Sequence, residues 1–242
     1  MNISMIQAVI VAGGLATRLG DEARDCPKSM VYICGKPFVE YQLQLLQENG
    51  ITGIVLCLGH LAVQIEQHLA DGAKFGVNIT YSHESQPLGT AGALKNAQRL
   101  IKGDFLTLYG DSYLDFDYQS AVGFFNRRNK LALMTVYKNH GLYDASNSEI
   151  EGELVTGYDK IEKTPKTVYI DYGASIFRRE VLDWLPINQP YSLEQLFRRL
   201  IVERELLAYE VMERFYEIGS PGGLEEFRRL KGGRYDSITC TG

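Results

Sequence analysis

Short apolar runs alternate with amphipathic stretches through the first half of the chain. Residues 7–11, 53–58, 77–82 and 105–109 read as strands. Between them the spacing predicts helices. Pro37 is placed to open the first, its fixed φ suiting a first turn; Phe38, Tyr41, Leu45 and Leu46 then mark one face, and Asn49-Gly50 closes it. Residues 60–70 and 91–101 read as the next two helices. Strands separated by helices imply parallel βαβ units, a sheet covered on both faces, and ligands at the carboxyl ends of the strands. Gly13, Glu84 and Asp111 each follow one of these strands, which places them along one edge.

The second half is less regular. Residues 118–129 read as a helix, 131–137 as a strand, and 154–158 and 168–177 as strand-like segments with turn residues between them. The run ELLAYEVMERFYEI is also strand-like. Helices are expected over 179–184, 192–203 and 222–230, with Ser192 and Gln195 spaced as a capping box. Residues 232–242 show no periodicity and read as a frayed tail. No internal repeat or low-complexity tract interrupts the chain.

Composition narrows the function more than the fold. The 242 residues are 45% hydrophobic and 23% charged, an ordinary globular balance. A net charge of −5 gives no basic footprint for a nucleic-acid backbone, so nucleic acid is excluded as a partner. No apolar run approaches the roughly 20 residues of a membrane span, and the N-terminus lacks the basic and apolar regions of a signal peptide. The reading is a soluble cytoplasmic protein with no membrane partner. Cys26, Cys34, Cys57 and Cys240 form no Cys-x-x-Cys pair or zinc-type cluster and are expected to be reduced thiols.

The chemistry concentrates in AVIVAGGLATRLGDEARDCPKSM, residues 8–30. A strand ends in Gly13-Gly14, where missing side chains let a ligand approach the backbone, and two cations, Arg18 and Lys28, follow on a loop. The arrangement reads either as a nucleotide phosphate site or as an ordinary βα turn with solvated cations. Neither the P-loop nor the dinucleotide glycine spacing is present. Asp111, at the end of the strand in FLTLYGDSYL, is either a turn cap or a ligand for a hard divalent ion, which needs one or two carboxylates beside phosphate oxygens. Glu217, in FYEIGSP, is the candidate second acid from the far end of the chain.

These stretches together resemble the sugar-1-phosphate nucleotidylyltransferases. The Gly-rich stretch is similar to their G-G-x-G-T-R-L…P-K-P motif, YGD to their strand-end G-D, QPLGTAGAL to E-P-L-G-T-A-G-A, and FYEIGSP to W-x-D-I-G-T-P. Four motifs in order cover nearly the whole chain. YDKIEKTPKTVYIDYG further resembles the short single-domain guanylyltransferases acting on mannose or D-glycero-D-manno-heptose 1-phosphate.

The resemblance implies an α/β fold, a Rossmann-like three-layer α/β/α sandwich with a mostly parallel mixed sheet. It implies one domain over 1–231, its nucleotide half to about 115 and its sugar-phosphate half from about 116. It implies a Mg²⁺-dependent reaction, with Mn²⁺ as a possible substitute, joining an NTP and a sugar 1-phosphate into an NDP-sugar. Arg18 and Lys28 would neutralise the triphosphate, and Asp111 with Glu217 would hold the metal. Ala12, Gly13, Gly14, Gly89 and Thr90 would hold the nucleoside. Lys160 or Lys163 would hold the acceptor phosphate, with Lys160 favoured. Asp171 and Gly173 stand where the wider family has Asn-Ala-Gly beside the sugar; Asp171 is either a sugar contact or a turn residue. Glu84 lies where the family faces the base edge. A carboxylate accepts from guanine N1–H and N2–H₂ together, which favours GTP.

Three departures qualify the match. Ala16 replaces a loop glycine, Ser29 replaces the proline after Lys28, and Glu217 replaces aspartate. The alternatives are a cytidylyl-, uridylyl- or thymidylyltransferase, a phosphocholine-like acceptor, or a nucleotide-sugar sensor without turnover. Oligomeric state is not readable from the chain.

Overall fold

In a computed structural model, residues 6–14, 19, 26–59, 61–143 and 145–232 are described. The first strand, β1 (Gln7–Val11), leads into the Gly-rich loop; a hairpin of β2 (Tyr32–Ile33) and β3 (Lys36–Pro37) precedes α1 (Phe38–Glu48). There follow β4 (Gly53–Leu58), α2 (Ala62–Leu69), β5 (Asn78–His83), α3 (Gly89–Asn96), β6 (Phe105–Tyr109), β7 (Ser112–Tyr113) and α4 (Tyr118–Asn126). The remainder comprises β8 (Ala132–Lys138), β9 (Ser148–Glu151), β10 (Leu154–Tyr158), β11 (Tyr169–Phe177), α5 (Leu193–Val202), β12 (Leu206–Val211), β13 (Tyr216–Glu217) and α6 (Pro221–Leu230).

Among the described residues nine strands form one sheet in the order β5-β4-β1-β6-β11-β8-β12-β10-β9. The first four are mutually parallel; β11 runs antiparallel to both β6 and β8 and joins the parallel part to a mixed part. The chain winds from β1 outward to β5 and returns to the other side of β1 as β6. The switch point between β1 and β6 is therefore where an open α/β sheet leaves a crevice for a ligand.

Successive residues of β1 supply the two sides of the sandwich. Ala8 and Ile10 pack with Phe38, Leu43, Ile65, Phe125 and Phe227 on one face, while Val9 packs with Ala93, Leu94, Leu196 and Phe197 on the other. The alternation of a strand buried on both faces thus fixes α1, α2, α4 and α6 on one side and α3 and α5 on the other. The α/β/α fold class read from the sequence is the observed one.

Several boundaries differ from the sequence reading for physical reasons. Pro37 sits one residue before α1, as its cap, with φ −61°. The helix expected over 91–101 begins at Gly89 and gives way to turns after Asn96. The segment Arg179–Trp184 is 3-10 rather than α-helical. The run ELLAYEVMERFYEI splits into β12, in the main sheet, and β13, which pairs with β7 in a separate ribbon. The capping box at Ser192 and Gln195 forms as expected. Residues 233–242, read as a frayed tail, lie outside the described residues, as does Cys240. Cys34 and Cys57 are free thiols, but Cys26 is disulfide-bonded, which corrects the expectation of reduced thiols there. No helix among the described residues is long and apolar enough to cross a membrane.

Candidate active site

After β1, Lys28 N–H donates to Gly14 O at 3.2 Å, which brings together the two ends of the segment between them. Arg18 and Ala16 lie in that intervening segment, outside the described residues. Close approach explains the neighbouring glycine: a Cβ on Gly110 would stand 2.8 Å from Ala12 Cα, so only glycine lets the ends of β1 and β6 converge. Ala12, Gly14, Lys28, Thr90, Tyr109 and Asp111 line a cavity of about 170 Å³ at this switch point.

Asp111 and Glu217 are brought together by backbone pairing. The ribbon of β7 and β13 sets Glu217 opposite Ser112, and Ile218 N–H donates to Asp111 O at 2.9 Å. Helix α6 secures the ribbon, its buried Phe227 ring lying 5.1 Å from Phe38, 5.3 Å from Tyr41 and 5.1 Å from Tyr113. The C-terminal acid is thereby packed against the N-terminal helix. Lys28 Nζ lies 3.0 Å from Asp111 Oδ2, with 14% and 28% of the two side chains exposed, so the pair is enclosed behind and open toward the cavity.

Gly219 marks the centre of this cluster. A Cβ there would stand 2.8 Å from Glu217 Oε2, 3.1 Å from Asp111 Oδ2 and 3.4 Å from Lys28 Nζ. Glycine thus leaves a cradle between two carboxylates and an ammonium. Glu217 reaches it while bonded to the following turn: Gly219 N–H donates to Oε2 and Ser220 Oγ–H to Oε1, each at 2.5 Å. The longer side chain of glutamate allows this return to the cap of α6, where the helix N-terminus favours a carboxylate. Among the described residues no three His, Cys, Asp or Glu side chains are grouped as a metal site. The two carboxylates that converge on Gly219 are a hard oxygen donor pair, of the kind used by an ion that completes its shell with phosphate oxygens and water, such as Mg²⁺.

The QPLGTAGAL motif is stapled to the segment before α5. Ala91 and Gly92 N–H both donate to Tyr191 O at 2.9 Å, and Leu193 N–H donates to Thr90 Oγ1 at 2.7 Å. Gly89, at φ +70°, would press a Cβ to within 2.9 Å of Tyr191 O. Glycine here admits another strand of the protein's own backbone. Glu84 follows β5, two strands from β1 on the same edge. One of its oxygens accepts from Leu88 N–H at 3.0 Å, and burial holds its carboxyl above the ordinary range against that bond.

The second cluster lies where β11 bulges against β8, between Asp171 and Ser175. Gly173 takes φ +103° there, and its N–H donates to Asp171 Oδ1 at 3.0 Å. Asp171 Oδ2 accepts from Tyr158 Oη at 3.3 Å, and Asn147 Oδ1 accepts from the Asp171 N–H at 2.8 Å. Burial raises Asp171 to about 6; the Gly173 N–H, the Lys160 charge and Tyr158 pull it down. The Lys160 charge is thus near enough to act on Asp171, whereas Lys163 Nζ turns back to Asp159 O at 2.7 Å on an exposed turn. Tyr109 joins the two clusters. Its phenol is pushed far up by burial and by the charges of Asp171, Asp111 and Glu194. Tyr109, Tyr158 and Glu194 escaped the sequence reading; Tyr109 was readable only as the buried end of a strand, and Glu194 only as the first turn of a helix.

The architecture defines the class first: a doubly wound α/β chain that gathers paired charges at its switch point. The chain belongs to the nucleotidyl transferase family, whose profile matches residues 7–216. It is 33% identical over 217 residues to a UTP--glucose-1-phosphate uridylyltransferase of Synechocystis sp., covering 81% of this chain and 55% of that protein. It is 28% identical over 216 residues to a D-glycero-alpha-D-manno-heptose 1-phosphate guanylyltransferase of Campylobacter jejuni, covering 89% of this chain and 96% of that one. Against Mannose-1-phosphate guanyltransferase beta-A of Xenopus laevis, identity is 29% and the match spans 62% of the relative. The chain thus spans roughly half to two-thirds of the length of several curated relatives. Among solved structures, HddC from Yersinia pseudotuberculosis superposes with a TM-score of 0.78 at 26% identity, covering 94% of this chain and all of that one. The inositol-1-phosphate CTP transferase of T. maritima shares the fold, with a TM-score of 0.79 at 20% identity over 98% of this chain.

Proposed function

We propose that this chain joins a nucleoside triphosphate to a sugar 1-phosphate, giving an NDP-sugar and pyrophosphate. The observation that carries the reading is the meeting of Lys28, Asp111 and Glu217 around Gly219, at the rim of the switch-point cavity. An oxygen of the sugar phosphate attacks the α-phosphorus in line; the new P–O bond forms as the bond to the pyrophosphate oxygen breaks. Such transfers need positioning and charge neutralisation more than covalent chemistry. Lys28 neutralises the α-phosphate side, and Arg18 the departing pyrophosphate. Asp111 and Glu217 would hold Mg²⁺, or Mn²⁺ in its place, which when bound offsets charge developing on the phosphate oxygens.

Ala12, Gly13, Gly14, Gly89 and Thr90 frame the nucleoside. Lys160 receives the acceptor phosphate, and Asp171 with Gly173 meets the sugar hydroxyls. Lys160 is preferred to Lys163 because its charge acts on Asp171 while Lys163 is tied into its own turn. GTP is the proposed donor. The support is the carboxylate of Glu84, whose second oxygen carries no bond to Leu88, and the near full-length match to the Campylobacter guanylyltransferase. The HddC protein has also been solved complexed with GMP-PN. A mannose- or heptose-type 1-phosphate is the proposed acceptor. The Synechocystis relative makes UTP the competing donor.

Pyrophosphate release is measured over GTP, UTP, CTP and dTTP against a panel of sugar 1-phosphates and phosphocholine. The expected result is release with GTP and a manno-configured 1-phosphate, abolished by a chelator and restored by Mg²⁺. Binding of a nucleotide sugar with no release from any pair would overturn the reading in favour of a sensor.

A further inference from the structure

Gln42 lies in the middle of α1, 3% exposed, within a helix face otherwise made of Phe38, Val39, Leu45 and Leu46. Its Nε2 donates two hydrogen bonds, to Tyr109 O at 2.8 Å and to Ser112 O at 2.7 Å. Those two carbonyls flank Gly110-Asp111. Both hydrogens of the amide are therefore spent on the turn that carries the acid. Its Oε1 is buried with no hydrogen-bond partner among the described residues.

An orphaned buried amide oxygen weakens a fold, and such groups call for an explanation beyond packing. Leucine or methionine would fill the same space in α1 without that oxygen. Flipping the amide would set Oε1 against two carbonyl oxygens, so the observed orientation is the one the turn imposes. The third carbonyl of the turn, that of Asp111, accepts from Ile218 N–H at 2.9 Å. Gln42 on one side and the Glu217 ribbon on the other thus fix the backbone beneath Asp111, whose side chain is bonded, among the described residues, to Lys28.

We propose that Gln42 is a positioning residue that aims the Asp111 carboxylate at the metal–phosphate site. The inference rests on the reading of Asp111 as a metal ligand given above. It is tested on the full chain with Gln42→Met, which keeps the volume and removes both donors, and with Gln42→Asn, which keeps an amide too short to reach both carbonyls. Leu46→Ala, a cavity variant of the same helix, controls for simple loss of stability. Mn²⁺ binding in the presence of a non-hydrolysable GTP analogue is followed by electron paramagnetic resonance, and amide exchange over residues 106–113 by mass spectrometry.

Both Gln42 variants are expected to raise the half-saturating Mn²⁺ concentration about tenfold and to speed exchange in 106–113 by a similar factor, leaving 132–138 unchanged. Leu46→Ala lowers the melting temperature while its Mn²⁺ midpoint stays within about twofold of wild type. Wild-type Mn²⁺ midpoints in both Gln42 variants, beside a clear loss in Asp111→Asn, would overturn the role of Gln42 alone. An unchanged midpoint in Asp111→Asn would instead overturn the metal reading, and exchange over 106–113 would then decide whether Gln42 holds the turn.

Discussion

The two charged clusters on the sheet edge are built by opposite means. At the β1–β6 switch point, Asp111 is paired with Lys28, Glu217 is capped by Gly219 N–H and Ser220 Oγ, and every group has a partner of opposite sign or a donor. At the β11 bulge, Asp171 is closed in by its own backbone and Tyr158, and burial keeps its carboxyl high. The first cluster is assembled from both ends of the chain; the second comes from β10 and β11, successive in the chain and each paired with β9 in the mixed part of the sheet. A site of balanced charges over backbone glycines suits a polyphosphate and a cation. A desolvated carboxylate beside a phenol suits hydroxyl groups, which donate to it without bringing charge. The contrast supports the proposal that the donor nucleotide takes the first cluster and the acceptor the second.

The sharpest way to break that assignment is Asp111→Asn. It removes one carboxylate and leaves Lys28 without its counter-charge, but the backbone bonds to Ile218 and Gln42 remain. Turnover is expected to fall about a thousandfold, with circular dichroism and melting temperature close to wild type. Wild-type pyrophosphate release would end the metal assignment. Gly219→Ala tests the cradle more gently. The added methyl enters the space among Glu217, Asp111 and Lys28 and displaces Glu217 from Gly219 N–H. A loss of about a hundredfold in turnover is expected against about 1 kcal/mol in stability, because the atoms displaced are ends of side chains. Equal losses in both would make Gly219 a folding residue and the cradle irrelevant.

The lysines separate the second cluster from its surroundings. Lys160→Ala should raise the KM for the sugar phosphate about tenfold and leave the KM for the nucleotide unchanged. Lys163→Ala should change either by less than about twofold, since its ammonium is committed to an exposed turn. Steady-state kinetics with each substrate varied in turn reads both. A reversed ranking would move the acceptor phosphate to the outer side of the hairpin.

How much of this was legible in the sequence follows from the range of the interactions. The strands β1, β4 and β6 have the limits that the apolar runs predicted, because a strand buried on both faces leaves little freedom in where it ends; β10 also keeps its predicted limits, though only its Val155 and Tyr158 are buried. The charged edge was legible too, through glycines: Gly110 beside Ala12, and Gly13 after β1, mark backbones that must approach. The ribbon of β7 and β13 was not. Ser112-Tyr113 and Tyr216-Glu217 are too short to show a period, and they pair only because α6 docks Phe227 against Phe38 and Tyr41 from far away in sequence. Gly89 was read toward the ligand, while its left-handed φ and its contact with Tyr191 serve the fold as well. Gln42 carries no local signal at all, being one polar residue in an apolar helix face. What periodicity cannot encode is the partner across the sheet.

The smallest expected effect tests the desolvated half of the comparison. Burial holds Asp171 at about 6, against roughly 3.9 for an aspartate in an unfolded chain. Between those values the folded protein binds more protons than the unfolded one, so stability falls as pH rises through that window, and above it the whole penalty is present. Asp171→Asn removes the charge yet keeps an oxygen for Gly173 N–H and an amide for Tyr158. At pH 8 the variant should melt a few degrees above wild type, about 1 kcal/mol, and the difference should vanish near pH 4. The acceptor KM should move the other way, since a neutral amide accepts more weakly from hydroxyls than a carboxylate does. In the wild type the same KM should rise as pH falls through about 6, when Asp171 takes up its proton. Melting curves from pH 4 to 8 with acceptor kinetics over the upper half of that range read both signs. A variant no more stable than wild type at pH 8 would mean that Lys160 and Tyr158 already balance the charge, and the two clusters would then differ in architecture but not in electrostatics.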